Sequence, residues 1–248
     1  MHDSMPSVSI DEMSWVDVAA HLARDSRLIV PVGALEQHGP HLPIGTNVLI
    51  ARRIAIDLSR EFGVLRAPTF QYGVNVDAGR SFPGTASLTA KTLHRALNEL
   101  LGSWESHGVT EFIILTAHRH APHLDALATL LTYRARVRVV EIWDADISSL
   151  LEKQDEPLHG DEAETSIMLY LYPRLVRMDR ARDVPFPPAE VRRNRRGGFP
   201  VPPSESAGSF GYPTAASAEK GERIYHAILD AVRRAVFLEA VPSESDTL

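Results

Sequence analysis

Residues 28–51 read LIVPVGALEQHGPHLPIGTNVLIA, and their reading decides the fold. The stretch opens as an apolar run, Leu28-Ile29-Val30-Pro31-Val32, and breaks at Gly33. Glu36, His38 and His41 follow within a few residues. Pro40, Pro43 and Gly45 keep this middle part from being helical. An apolar helical pattern resumes near Val48. A short buried strand running into a polar loop is where parallel α/β proteins place their chemistry. Glu36 and His38 lie two apart, so in an extended segment they share a face. A carboxylate and an imidazole on one face can ligate a metal such as Zn²⁺ or Mn²⁺.

Outward from this stretch, strand and helix patterns alternate. Residues 9–24 read as a helix capped by Ser14, with Trp15, Val18, Ala19 and Leu22 as its apolar stripe. Residues 28–32 form the first strand. Residues 48–62 form a helix with Ile50, Ile54, Ile56 and Leu58 mostly inward, closed by Gly63. An extended run over 64–67 leads into a loop over 72–85, and loops of this length tend to be functional. A helix is expected over 89–107, with Leu93, Leu97, Leu100 and Leu101 on one side and Gly108 beyond its end. Strand 112–115 stops at Thr116-Ala117-His118-Arg119-His120. Helix 124–134, strand 137–143, helix 162–171 and helix 216–239 complete the pattern. It predicts an α/β fold, a mostly parallel central sheet with helices on both faces. Residues 182–213 read as a proline-rich excursion carrying Arg192, Arg193, Arg195 and Arg196. The expected organisation is one domain over 1–241 and a disordered tail over 242–248.

Composition narrows the function. The chain has 248 residues, 44% of them hydrophobic, enough for one sizeable core. A net charge of −6 and no long basic run argue against nucleic acid as a partner. No cysteine is present, so disulfides, thiolate metal sites and cysteine nucleophiles are excluded. Any metal is held by His, Asp, Glu or neutral oxygen donors. The polar, acidic start MHDSMPSVSIDEMS is neither a signal peptide nor a membrane span. These features predict a cytoplasmic protein with no membrane contact.

The motifs together resemble the creatininase family of metal-dependent amidohydrolases. PVGALEQHGPHLPIGTNVLIA is similar to its signature, and SFPGTASL (81–88) to its FPGT loop. ILTAHRHAPHLDAL (114–127) stands where the family has an Asn-Gly-His strand end, and HGDEAETSIML (159–169) resembles its His-Ala-Gly and Glu-Thr-Ser segment. The closing GSFGYPTAASAEKGERI also resembles the family, including the branch that processes mycofactocin precursor peptides. The resemblance implies hydrolysis of a C–N bond in a cyclic or linear amide, a small-molecule or peptide substrate, and a homo-oligomer, a hexamer. It implies a divalent metal (Zn, Mn or Fe), one or two ions per chain, held by Glu36, His38, Asn47, His118, His120 and Glu164. His159 corresponds to the family's catalytic histidine and would donate a proton to the leaving nitrogen. Glu162 or Glu164 would orient the attacking water.

The chain also departs from the family. Asn47 stands where the family has a metal-bridging aspartate, Thr116-Ala117 where it has Asn-Gly, His120 where it has Glu or Gly, and Ala78-Gly79 where a Glu-His pair is common. Glu36 and Glu164 then balance one divalent ion and leave a second with surplus charge. The expectation is one tightly held metal, the second weak or absent. Two other readings stand beside the hydrolase: a non-catalytic family member serving as a binding or structural subunit, and a changed reaction on the same scaffold. Among the remaining residues, His41 reads as a structural hydrogen-bonding group. His123 reads as facing solvent or a neighbouring helix. Trp143 reads as core or as a stacking surface.

Overall fold

The structure, a computed structural model, describes residues 8–76, 81–185 and 206–238. The arginine cluster at 192–196, the Ala78-Gly79 pair and the predicted tail at 242–248 lie outside the described residues. Four strands form one parallel sheet: β1 (Arg27–Val32), β2 (Leu65–Arg66), β3 (Glu111–Thr116) and β4 (Arg136–Glu141), in the order β2-β1-β3-β4. The helices are α1 (Trp15–Leu22), α2 (Thr46–Phe62), α3 (Ala90–Ser106), α4 (Ala121–Ala128), α5 (Glu162–Leu171) and α6 (Ala218–Arg233).

The period-2 alternation of the strands sorts the core into two layers. Ile29, Ile113 and Leu115 pack on one face with α2, α5 and α6. Leu28, Val30, Phe112 and Ile114 pack on the other with α3 and α4. Pro31 sits in an inner strand, where a missing N–H would ordinarily break a ladder. Here β2 has already ended at Arg66, and the Pro31 carbonyl accepts from Phe70 N at 2.9 Å, so only the side away from β3 is affected.

Local signals explain most boundaries. The side chains of Thr89, Asp161 and Ser217 cap α3, α5 and α6 by accepting Thr92, Glu164 and Lys220 N–H. Gly63 ends α2 at φ 65°, a left-handed conformation that glycine adopts without penalty.

Several expectations are corrected. The 9–24 segment is a short 3₁₀ turn (Ile10–Glu12) followed by α1, and Trp15 is 81% exposed rather than inward. Leu100 is exposed, so the buried stripe of α3 is Leu93, Leu97 and Leu101. The expected helix at 124–134 is α4, which starts at Ala121 and stops at Ala128. Pro122 suits a first turn. Beyond it, the Glu105 carboxylate accepts Tyr133 N at 2.8 Å and Ala135 N at 2.7 Å, holding the chain as a loop. Strand β4 ends at Glu141 because its side chain accepts Trp143 N at 2.9 Å and starts a 3₁₀ turn. The last helix ends at Arg233 and continues as a π turn to Leu238.

Helix α5 crosses α6 at Gly221, whose hydrogen faces the Ser166 carbonyl; a Cβ there would overlap that oxygen. Helix propensity alone favours Gly221→Ala by about 1 kcal/mol. The overlap outweighs this, and the substitution is expected to lower stability by about 1–3 kcal/mol. A fall in the urea midpoint at constant m-value checks it.

Candidate metal centre

The register of the sheet brings the site together. Val32 pairs with Thr116, and Thr116 with Glu141, so the three strands end side by side. The loop after β1 carries Glu36 and His38, and the loop after β3 carries His118 and His120. Gly33 lets the β1 loop lie against α2: a Cβ there would meet Val48 Cα at 2.7 Å. This approach sets Asn47, on the first turn of α2, beside Glu36. The loop before α5 supplies His159, and its first turn supplies Glu164.

Glu36, His38, Asn47, His118 and Glu164 are all buried. His118 Nδ1 lies 3.1 Å from Glu36 Oε2, and His38 Nε2 lies 3.6 Å from Glu164 Oε1. Asn47 bridges the two pairs, with Oδ1 3.2 Å from His38 Nε2 and Nδ2 3.1 Å from His118 Nδ1. Each ring is oriented from behind by a main-chain carbonyl. His38 Nδ1 donates to Glu36 O at 2.8 Å, and His118 Nε2 donates to Val74 O at 2.9 Å. A carbonyl can only accept, so each donating nitrogen holds a proton and the other nitrogen faces inward, where a bound cation would take its lone pair in place of a second proton. Metal-ligating histidines are held in this way. Ligand atoms of Glu36, His38 and His159 lie within 4.8 Å of one another.

The pocket favours positive charge. Burial pushes the Glu36 carboxyl up, but His118, His159 and His38 outweigh it and hold it below the ordinary carboxylate range. Glu164 is likewise held low, by His38 against burial. Burial disfavours protonation of His38, yet Glu164 and Glu36 raise it to about 9. His118 is raised by Glu36 in the same manner, whereas burial keeps His159 below its ordinary value. Glu36, Glu164, His118 and Asn47 line a cavity of about 30 Å³, room for an ion or a water, and His38 Nε2 stands beside Asn47 and Glu164. The donor set suits a divalent cation with nitrogen and oxygen ligands. Arg119, Trp143 and Pro157 line both this cavity and an adjoining one of about 630 Å³ that opens outward.

His120 lines the small cavity and donates from Nδ1 to Val74 O at 2.8 Å. Glu162 has other partners. Its carboxylate accepts Glu152 N at 2.8 Å and Lys153 N at 3.2 Å and pairs with the buried Lys220 ammonium, so the structure ties α5 to α6 with it instead of directing it at the site. His41 Nε2 lies 3.0 Å from Thr165 Oγ1, a structural contact. His123 is fully buried rather than facing solvent, because Thr116 Oγ1 and Val74 N satisfy its two nitrogens. Trp143 is buried and donates to Ala117 O at 2.9 Å. Gln37 was not singled out by the sequence. Its carbonyl lies 2.7 Å from His159 Nε2, and its side chain holds Gly208 O at 2.9 Å and Gly39 N at 2.9 Å. Its place between Glu36 and His38 was the available signal.

The family model described as creatinine amidohydrolase matches residues 11–236. The chain is 31% identical to a creatinine amidohydrolase of Pseudomonas putida, over 96% of this chain and 99% of that protein. It is 33% identical to the mycofactocin precursor peptide peptidase of Mycolicibacterium smegmatis, over 80% of this chain and 79% of that one. Among solved structures it is similar to a mutant creatininase of Zn–Zn type, at TM-score 0.75 and 32% identity, covering 92% of this chain and 98% of the other.

A metal that binds only the folded chain stabilises it, by about 2.7 kcal/mol at a concentration 100 times its Kd. For a chain of this length, Zn²⁺ or Mn²⁺ is expected to raise Tm by about 5–10 °C. Glu36→Gln removes an inward anion and should lose most of that shift. Thermal melts with each metal and with a chelator decide; an unchanged Tm in the unsubstituted protein would exclude the centre.

Proposed function

The chain belongs to the creatininase family and is an amidohydrolase; from this premise we propose that it cleaves the C–N bond of a cyclic or linear amide at a single divalent ion. The observation that carries the proposal is the clustering of Glu36, His38, His118, Glu164 and the Asn47 oxygen at the ends of β1 and β3, all but His38 lining one small cavity. Both small-molecule and peptide substrates fit the relatives. The 630 Å³ cavity beside the centre supports access for either.

Zn²⁺ or Mn²⁺ bound there would supply Lewis-acid activation of water and of the substrate carbonyl. The chain's own groups do the rest. His38 and His118 each hold one ring nitrogen inward, so no ring has to reorient when an ion replaces its proton. Glu164 keeps one oxygen on Gly160 N at 2.7 Å and turns the other toward His38, which suits it to ligate or to orient water. Glu162 is engaged with Lys220, which leaves this role to Glu164. His159, held against Gln37 at the rim of the cluster, is placed to pass a proton to the leaving nitrogen.

Asn47 supports the reading of one ion. Its oxygen faces the His38–Glu164 side and its amide N–H₂ faces the Glu36–His118 side. A carboxylate can bridge two ions; an amide ligates through oxygen alone and presents donors to its other neighbours. The same residue is what favours a non-catalytic role as the second reading, and metal binding separates the two. We further infer a cytoplasmic homo-oligomer, hexameric by resemblance. The exposure of Trp15, Leu131 and Tyr133 supports an associating surface, and light scattering measures the mass. No described helix is long and apolar enough to cross a membrane.

His159→Ala is expected to lower turnover by about 10²–10⁴-fold while metal content stays at the unsubstituted level. Metal lost together with activity would move His159 into the ligand set, and unchanged turnover would remove it from the reaction. Asn47→Asp restores a bridging carboxylate and is expected to raise metal content from about one to about two ions per chain. Elemental analysis of protein purified without chelator checks both; two ions in the unsubstituted chain would overturn the single-ion reading.

A further inference from the structure

We propose that His123 is a positioning residue of the metal centre: it holds Val74 in place and thereby sets the ring tautomer of His118 and the grip of the site on a divalent ion. The inference rests on His118 being a ligand, as argued above. His123 lies on α4 and touches none of the inward-facing carboxylates. Its ring stands edge-on to His118, with centroids 4.8 Å apart.

The hydrogen bonds form a closed circuit that begins and ends at His118. The main-chain N–H of His118 donates to Thr116 Oγ1 at 3.3 Å, and the same hydroxyl lies 3.1 Å from His123 Nε2. At the other edge of the ring, His123 Nδ1 accepts Val74 N–H at 3.3 Å. The Val74 carbonyl then accepts His118 Nε2–H at 2.9 Å and His120 Nδ1–H at 2.8 Å. Val74 is thus held at both of its backbone groups, with one side fixed by His123. The tautomer His118 presents to an ion depends on where that carbonyl stands, because only a proton on Nε2 can reach it and leave Nδ1 to the ion beside Glu36.

Packing leaves the 73–74 backbone little freedom. A Cβ on Gly73 would lie 3.0 Å from His123 Nδ1, 2.8 Å from Ala34 Cβ and 2.9 Å from Gly33 O. The glycine therefore rests directly on the imidazole edge. A planar ring with an acceptor at one edge and a second nitrogen across from it spans Val74 and Thr116; an apolar side chain of similar size fills the space and holds neither.

Two substitutions separate positioning from bulk structure. His123→Leu removes both bonds. His123→Asn keeps an acceptor oxygen close to the position of Nδ1, and so keeps Val74. Zn²⁺ affinity of the full chain, measured by chelator competition, is expected to fall about 10–100-fold in H123L and to return most of the way in H123N. Nitrogen-15 spectra of histidine-labelled protein loaded with Zn²⁺ should show His118 protonated at Nε2 with the ion on Nδ1 in the unsubstituted chain and in H123N, and a mixture of tautomers in H123L. A merely structural role would lower the urea midpoint of both variants and leave the His118 tautomer alone. Equal affinity in H123L and the unsubstituted chain, equal weakness of H123N and H123L, or an unmoved tautomer each overturns the proposal. Should H123L not fold, Thr116→Val opens the circuit from its other side and is read by the same spectra. The tautomer is independent of turnover, so absence of amide hydrolysis would defeat the functional reading and leave this one standing.

Discussion

Buried carboxylates and imidazoles that face one another dictate the rest of this structure. Glu36 and Glu164 present carboxylate oxygens, His118 a ring nitrogen and Asn47 an amide oxygen around about 30 Å³ of space, with His38 Nε2 beside Asn47 and Glu164. Such groups cannot share a low-dielectric pocket unless positive charge lies among them. The raised proton affinity of His38 and the lowered one of Glu36 express the same demand. Carbonyls behind both rings fix their orientation, so the inward nitrogens answer that demand by taking a proton or a metal ion.

The scaffold exists to hold that arrangement. Parallel strands in matched register end at one level, so loops from β1 and β3 meet without a long excursion. The approach of α2 depends on the missing side chain at Gly33, and the seating of α5 on α6 depends on the missing side chain at Gly221. Lys220 and Glu162 reinforce the second contact as a buried ion pair. Breaking one partner of such a pair is far more costly than its net contribution suggests, because the other charge is left uncompensated. Rigidity at the helix crossing is thereby passed to the first turn of α5, where Glu164 sits.

Much of the fold was legible because its signals are local. Strand β1 and helix α2 follow from an apolar run, a glycine break and a 3.6-residue repeat, and the caps Ser14 and Gly63 announce their own termini. The misreadings share a cause. The segment after α4 looked helical, yet a glutamate on α3, distant in sequence, claims its backbone N–H groups. Glu162 looked catalytic two residues from Glu164, but successive positions on a helix face different directions, and Lys220 waits on one of them. His123 looked peripheral because nothing nearby in sequence names its partners, one of which is a backbone amide in another loop.

The sequence by itself determined the alternation of strands and helices, the family, and the presence of carboxylate and imidazole groups at the ends of strands. Residue type and spacing suffice for these, since they depend on neighbours a few positions away. Only the tertiary structure decided which nitrogen of each histidine turns inward, that Asn47 offers oxygen to one side and hydrogen to the other, and that Glu162 belongs to a helix contact. Those outcomes depend on hydrogen-bond partners and packing contributed from far along the chain, and no local pattern encodes the direction in which a side chain finally points.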